Sequence, residues 1–422
     1  MAVKAVVALA IALRLVFFLA SQPWDGAAET DRILQSDALG HHILALSILD
    51  GEFSQFGQPE ALRTPLYPAF IAGIYAVFGP RPWVVMLFQI LLDAASVWLI
   101  CRAFGSWIPG AFLAANPISI FFCSALYSEQ LLMVCIAAAL FALRNGRPAT
   151  AGFMVGLAAL TKPIALYLPI VLIGWLIYRY RRAVPALILT AVFTLTITPW
   201  IARNYVTFGT AGFSTSGGYN MLMLYGARMI ASRDRLEFRQ VQRALSADFT
   251  RRANPFERTA EMKARAFEIF ADHPALFVKT YVAGIVRMFV NLNTRGVARA
   301  LGVETTMLSI TEHESAAAHL RAFTATRGLV HIAIGAVTTA YLLALYGVTA
   351  WGFVTWCRAP DRFGWLCAAG AVLFIALAGS AGLGRFLLPA MVFFLYFTRP
   401  PTTNWARTPT PDRSPQTPAR WS

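Results

Sequence analysis

Residues 82–101 read PWVVMLFQILLDAASVWLIC, twenty positions with one charged side chain, Asp93. At about 1.5 Å of helical rise per residue, such a run is long enough to cross the roughly 30 Å hydrocarbon core of a bilayer. It therefore predicts a membrane helix. Working outward, comparable apolar runs occupy residues 5–20, 64–79, 107–127, 130–143, 150–160, 163–178 and 183–200, then 275–292, 328–356, 363–380 and 383–397. The composition agrees: of 422 residues, 57% are hydrophobic and only 14% charged, where a soluble domain carries roughly a quarter. The expected fold class is an all-α polytopic membrane protein. No repeat of fixed period is visible.

The formal net charge is +15, but the basic residues stand in short clusters between apolar runs, with no aromatic-basic platform. This argues against nucleic acid as a partner. Lys and Arg are retained on the cytoplasmic side, so Arg144/Arg147 and Arg179/Arg181/Arg182 mark cytoplasmic turns. The five cysteines, Cys101, Cys123, Cys135, Cys357 and Cys367, lie in or beside apolar runs and form no CxxC pair. Neither a disulfide framework nor a zinc site is expected.

The run at 5–20 lacks a small-residue cleavage site and contains Arg14, so it reads as an anchored first helix with Lys4 inside. Residues 21–63 then form an external loop, with seven carboxylates (Asp25, Glu29, Asp31, Asp37, Asp50, Glu52, Glu60) against Arg32 and Arg63. Two further polar loops are expected at 201–273 and 293–327. Within the former, Asn254-Pro255-Phe256-Glu257 is a helix start and opens an amphipathic helix suited to a membrane face. Residues 1–397 read as one transmembrane domain. The Pro/Thr-rich tail at 398–422 cannot bury a core and is expected to be disordered and cytoplasmic.

Chemistry concentrates around the first loop. Ser36-Asp37-Ala38-Leu39-Gly40-His41-His42 opens an interfacial helix, and Arg63-Thr64-Pro65-Leu66-Tyr67-Pro68 leads into the next span. A carboxylate at the outer mouth of a helix bundle can be tuned by burial and nearby charge to act as a general base; spacing alone favours the plainer reading of Asp37 as a helix cap. Asp93 is a costly intramembrane carboxylate, and Arg14 is its expected structural partner. Glu129 stands at a span boundary, with a cavity-lining and an interfacial reading both open. His313 and His319, with Glu312 and Glu314, read as a solvated loop.

Five fragments recur in the order of a known superfamily. Asp37-Ala38-x-Gly40-x-His42 with the following apolar residues and Arg63-x-Pro65-Leu66-Tyr67-Pro68 form the first. Gly156-Leu157-Ala158-Ala159-Leu160-Thr161-Lys162-Pro163, Pro199-Trp200-Ile201-Ala202-Arg203-Asn204-Tyr205, Gly217-Gly218-Tyr219-Asn220 and Arg385-Phe386-Leu387-Leu388-Pro389 follow, with Tyr127-Ser128-Glu129 a looser match. Together they resemble the GT-C superfamily of integral membrane glycosyltransferases, nearest to bacterial protein O-mannosyltransferase and aminoarabinose-transferase types.

The resemblance implies a GT-C helical bundle of about 10–13 transmembrane helices in a bacterial inner membrane. It implies inverting transfer of a hexose or pentose from a polyprenyl-phosphate carrier, on the outer face, to a lipid, glycan or protein acceptor. It gives Asp37 the role of catalytic base. Substrate binding falls to Arg63, Tyr67, Glu129, Lys162, Arg203, Asn204 and Arg385, the cations as phosphate contacts. His41 stands where relatives often have Tyr. Arg63-Thr64 replaces the Glu with which aminoarabinose transferases help bind a divalent metal, so neither a metal nor another cofactor is expected. The competing readings are a transporter or flippase of a lipid-linked sugar, for which inverted repeats are wanted, an O-antigen polymerase-type ligase, and an inactive relative.

Overall fold

The computed structural model describes residues 1–26, 32–249, 254–303, 329–379 and 384–400. Those residues are overwhelmingly helical; among them the strands are a two-residue pair, Ser54–Gln55 against Gln58–Pro59. The chain starts with α1 (Ala2–Ser21) and the loop helix α2 (Asp37–Leu49), followed by α3 (Leu66–Phe78), α4 (Pro82–Phe104), α5 (Trp107–Ala114) and α6 (Pro117–Cys123). Next come α7 (Glu129–Arg144), α8 (Pro148–Thr161), α9 (Leu168–Tyr180) and the long α10 (Val184–Phe208). A helical loop unit holds α11 (Ala227–Asp234), α12 (Phe238–Asp248) and α13 (Pro255–Asp272). The bundle is completed by α14 (Pro274–Val290), α15 (Thr294–Ala300), α16 (Leu329–Arg358), α17 (Arg362–Ala378) and α18 (Leu387–Phe394).

The all-α membrane class stands. Among the described residues five helical stretches are long and apolar enough to cross a bilayer: Ala2–Ser21, Pro82–Phe104, Pro163–Tyr180, Val184–Phe208 and His331–Arg358. Counting the bent pair α13–α14 as one span gives up to six. Other apolar helices are shorter: α3, at 13 residues, is about 20 Å long, less than the hydrocarbon thickness, and α2 is the expected loop helix. The apolar run at 107–127 is broken into α5 and α6, because Asn116 accepts a 2.9 Å bond from the Ser119 amide and Pro117 occupies the first helical position. An Asn cap followed by Pro starts a new helix rather than continuing the old one. Between α13 and α14 the axis turns by 107°, which separates the amphipathic helix expected from Asn254 onward from the apolar one after it.

Two devices hold the bundle. In α8, Gly152 and Gly156 face α10, and a Cβ at either position would collide with the Leu189 backbone or the Thr196 side chain. Small residues four apart let helix backbones approach without a large side chain between them. The second device is the expected Arg14–Asp93 pair: Arg14 Nε lies 2.5 Å from Asp93 Oδ2, both side chains fully buried. Arg14 also donates to the carbonyls of Leu113 and Ala114 at 3.1 and 2.6 Å, and Ser119 donates to Asp93 Oδ1 at 2.5 Å. The last carbonyls of a helix lack intrahelical partners; here one arginine bonds the last two of α5 and ties α1, α4, α5 and α6 together.

Two segment boundaries shift. Residues 201–208 continue α10 instead of opening a loop, and order extends past residue 397: Arg399 Nη2 meets Asp361 Oδ2 at 2.5 Å. His313, His319 and the tail at 401–422 lie outside the described residues.

Candidate active site

Ser36 precedes α2 with φ of 55°, an uncommon backbone region for a residue with a side chain. Asp37 follows as the first helical residue and is 39% exposed. Two arginines reach it from distant parts of the chain. Arg385 Nη2 donates to Oδ2 at 2.7 Å, and Arg63 Nη2 to Oδ1 at 3.4 Å. Burial alone would push the Asp37 carboxyl up, but Arg385, by charge and by hydrogen bond, and then Arg63 hold it down at about 2. Gly40 makes the approach of Arg63 feasible, since a Cβ there would strike the guanidinium. His41 is buried and packs edge-on against Tyr67 with ring centroids 4.8 Å apart. Burial first, and then the Arg63 charge, depress its pKa to about 3, so His41 is a neutral packing residue near pH 7. His42 instead meets the Tyr75 hydroxyl at 2.9 Å; the two imidazoles serve opposite neighbours.

The loop carrying Arg63 is fastened from below. The hairpin turn at Phe56 and Gly57 has positive φ at both residues, as a tight two-residue connection demands. Arg203, on the last turns of α10, donates to the carbonyls of Phe53 at 3.0 Å and Glu60 at 2.8 Å. Its guanidinium lies 5.0–5.3 Å from the ring centres of Trp200, Phe53 and Phe208. Asn204 is buried, accepting from Arg203 at 2.9 Å and donating to the Gly212 carbonyl at 2.8 Å. Ser214 Oγ donates to the Leu62 carbonyl at 2.7 Å, and the Thr215 amide to that of Ala61 at 2.9 Å. The motif around Arg203 and Asn204 thus holds the first loop in place.

A second ion pair stands beside the first. Glu129, the first residue of α7, is buried and meets Lys162 Nζ at 2.7 Å. Lys162 follows α8 and lies 5.0 Å from the centre of the Phe386 ring, while Arg385 lies 5.1 Å from that ring and 5.0 Å from Tyr127. The Glu129–Lys162 and Asp37–Arg385 pairs therefore flank one aromatic residue. Tyr67 is fully buried and donates to Gln89 Oε1 at 2.6 Å, and Gln89 in turn donates to the Cys123 and Ala125 carbonyls.

Beside Asp37 opens a cavity of about 260 Å³, lined by residues that include Arg32, Ser36, Ser124, Tyr127, Asn293, Arg299 and Arg385. No Asp, Glu or His is among the described residues lining it. Three buried polar atoms of that lining, Ser124 Oγ, Asn293 Nδ2 and Arg385 Nε, have no hydrogen-bond partner among the described residues.

Of the residues singled out from sequence, Asp37, Arg63 and Arg385 come together, and Glu129 and Lys162 stand next to them. The Tyr67 hydroxyl, the two terminal nitrogens of Arg203 and the side-chain amide of Asn204 are engaged in the internal bonds described above. Sequence reading missed Arg299, Arg32 as a lining residue, and the spacing role of Gly40. Arg299 lies in a polar loop with no distinguishing pattern, whereas Gly40 was visible as the small residue one helical turn after Asp37. Among the described residues, no group of three or more His, Cys, Asp or Glu side chains is placed to hold a metal ion.

Residues 66–251 match the model of glycosyltransferase family 87. The resemblance to GT-C glycosyltransferases holds. The match supports a membrane glycosyltransferase of the GT-C kind, and it spans Tyr67, Glu129, Lys162, Arg203 and Asn204 while leaving out Asp37, Arg63 and Arg385. Among solved structures, ArnT from Cupriavidus metallidurans in the apo state aligns over 94% of this chain and 78% of its own, at 16% identity and a TM-score of 0.39. Curated proteins give no match.

Proposed function

We propose that this chain is an inverting glycosyltransferase that moves a sugar from a polyprenyl-phosphate carrier to a hydroxyl acceptor on the outer face of a bacterial inner membrane. The observation that carries the reading is the Asp37 carboxylate clasped by Arg63 and Arg385 at the edge of a cavity with three arginines and no acidic group among its described lining residues. Asp37 accepts the acceptor's proton as its oxygen bonds to the anomeric carbon from the face opposite the leaving group. The bond from that carbon to the phosphate oxygen breaks, and the lipid phosphate departs with the electron pair. A phosphate carries its charge well, so the protein mainly aligns the nucleophile and neutralises the departing oxyanion. Arg385 and Arg63 supply the neutralising charge nearest the carboxylate, with Lys162 alongside.

The acceptor is a lipid, glycan or protein reaching the outer leaflet, and the donor sugar is a hexose or pentose. The test is to give purified protein in lipid nanodiscs a panel of polyprenyl-phosphate hexoses and pentoses with membrane extract as acceptor, and to determine the anomeric configuration of the product by NMR. Transfer from one donor with inversion at the anomeric carbon is expected. Transfer with retention, or transfer only from nucleotide sugars, contradicts the reading.

A further inference from the structure

The end of the bundle away from Asp37 is strongly basic. α7 starts at Glu129, beside the clasp, and its 16 residues end at Arg144, which carries the chain about 24 Å. Arg144 lies 5.8 Å from the centre of the Phe363 ring in the first turn of α17. Phe363 packs in turn on Trp175, Phe104 and Tyr396. In the segments 98–107, 141–148, 175–184, 352–365 and 395–400, which contribute to this end, Asp361 is the sole carboxylate against nine arginines. Its acceptor capacity is spent. A carboxylate offers about four acceptor sites. Here Oδ1 accepts from the Phe363 and Gly364 amides at 3.0 and 2.8 Å, capping α17, and Oδ2 accepts from the Tyr396 hydroxyl at 2.6 Å and Arg399 Nη2 at 2.5 Å.

Between the end of α9 and the start of α17 the remaining charge is organised. Trp175 Nε1 donates to the Arg362 carbonyl at 2.5 Å, and Arg362 Nη1 donates to the Arg179 carbonyl at 2.9 Å. This reciprocal pair sets the two helices against each other. The Arg179 guanidinium lies 5.4 and 5.3 Å from the centres of the Trp175 and Tyr180 rings. Arg362 and Arg181 lie 5.5 and 5.4 Å from the Tyr178 ring. Aromatic faces of this kind hold the planar fork of an arginine in a limited set of orientations. Among the described residues Arg179, Arg181 and Arg362 form no ion pair. Three like charges are thus brought together with no acid to offset them.

We infer that an anionic phospholipid binds at this end by its phosphodiester group, held by Arg179 and the unengaged edge of Arg362, with Arg181 adding charge. Place and surroundings select this occupant. Retention of Lys and Arg assigns this end to the cytoplasmic side, where the leaflet is anionic and basic pockets between membrane helices take lipid head groups. Tyr178 and Trp365 beside it are 40% and 51% exposed, the aromatic border favoured at a membrane–water interface; a soluble anion has no use for such a border. The bound head group offsets the like charges and fastens the last turn of α9 to the first turn of α17. This site is separate from the Asp37 clasp and does not depend on the glycosyl-transfer reading.

The experiment is native mass spectrometry of the full chain in detergent with phosphatidylglycerol or phosphatidylcholine added in equal amounts, together with melting curves in each lipid. Wild type is expected to retain one phosphatidylglycerol in preference to phosphatidylcholine and to melt higher with it. Arg179→Gln and Arg362→Gln are each expected to weaken that retention roughly tenfold. Arg179→Lys, which keeps the charge and loses the fork, should fall between, and Arg265→Gln in α13 should bind as wild type. In phosphatidylcholine alone Arg179→Gln is expected to melt at or above the wild-type temperature, because its guanidinium donates no hydrogen bond among the described residues; a lower temperature would make Arg179 a structural residue and overturn its assignment. Equal retention of the two lipids by wild type, or undiminished retention of phosphatidylglycerol in both glutamine variants, overturns the proposal. So does displacement of the lipid by millimolar inorganic phosphate, which would mark a site for a soluble anion.

Discussion

Gly40 sets how closely Arg63 can approach Asp37, because a Cβ there would strike the guanidinium. In a helix interior glycine costs about 1 kcal/mol relative to alanine, so helix propensity is sacrificed at this position to the contact. Gly40→Ala is therefore expected to leave melting unchanged or slightly higher while transfer falls by roughly 10²-fold, the scale of a 1 Å misplacement; a glycosyl-transfer assay beside a melting curve separates the two effects. His41 gives a pH signature at the same scale. Its folded pKa lies at about 3, below the ordinary 6.5, so between those values the unfolded chain binds the extra proton. Stability should fall as pH drops from 6.5 toward 3 and be fully present above 6.5. Asp37, lowered from 3.8 to about 2, adds its own loss below pH 3.8. Melting temperatures across pH 3–7 for wild type and His41→Gln test this, the variant being expected to show the shallower slope.

At the scale of elements, the first external loop depends on α10. Arg203 donates to two loop carbonyls 2.8 and 3.0 Å away, and hydrogen bonds to a charged donor contribute about 1.5–3 kcal/mol each. Arg203→Ala should cost about 3 kcal/mol locally and expose residues 50–63 to protease, while an exposed-surface control such as Arg265→Ala leaves the digestion pattern unchanged. This is also where the sequence was most and least legible. The apolar runs and the Asn254-Pro255 helix start could be read because they depend on local composition. The Pro199–Tyr205 motif was visible too, but its role was not: nothing along the chain says that Arg203 turns toward the Phe53 and Glu60 carbonyls and not toward a ligand. Likewise the run at 107–127 looked like one span, and only the Asn116 cap reveals two short helices. Contacts separated by hundreds of residues, such as Asp37 with Arg385, leave no periodic trace; the resemblance brought in each residue separately, and not their contact.

Over the whole molecule, the Arg14–Asp93 pair links the first helix to the broken α5–α6 segment, whose carbonyls Arg14 caps. Removing one member of a buried pair leaves an uncompensated charge and costs about 3–5 kcal/mol, whereas replacing both by apolar residues can be nearly neutral. Arg14→Met and Asp93→Leu should each lower thermal stability markedly, and the double variant should recover a large part of it; additive losses would show that the pair's charges act independently. The bundle so held brings residue 37 beside residue 385, with Glu129 and Lys162 one aromatic ring away, and this convergence is what the functional account rests on. Its most direct test is the rate of sugar transfer from a polyprenyl-phosphate donor by Asp37→Asn, compared with wild type in the same nanodiscs, with phosphate binding measured alongside. The account predicts loss of about 10²-fold or more with phosphate binding retained; transfer at the wild-type rate would contradict it and remove Asp37 from the chemistry.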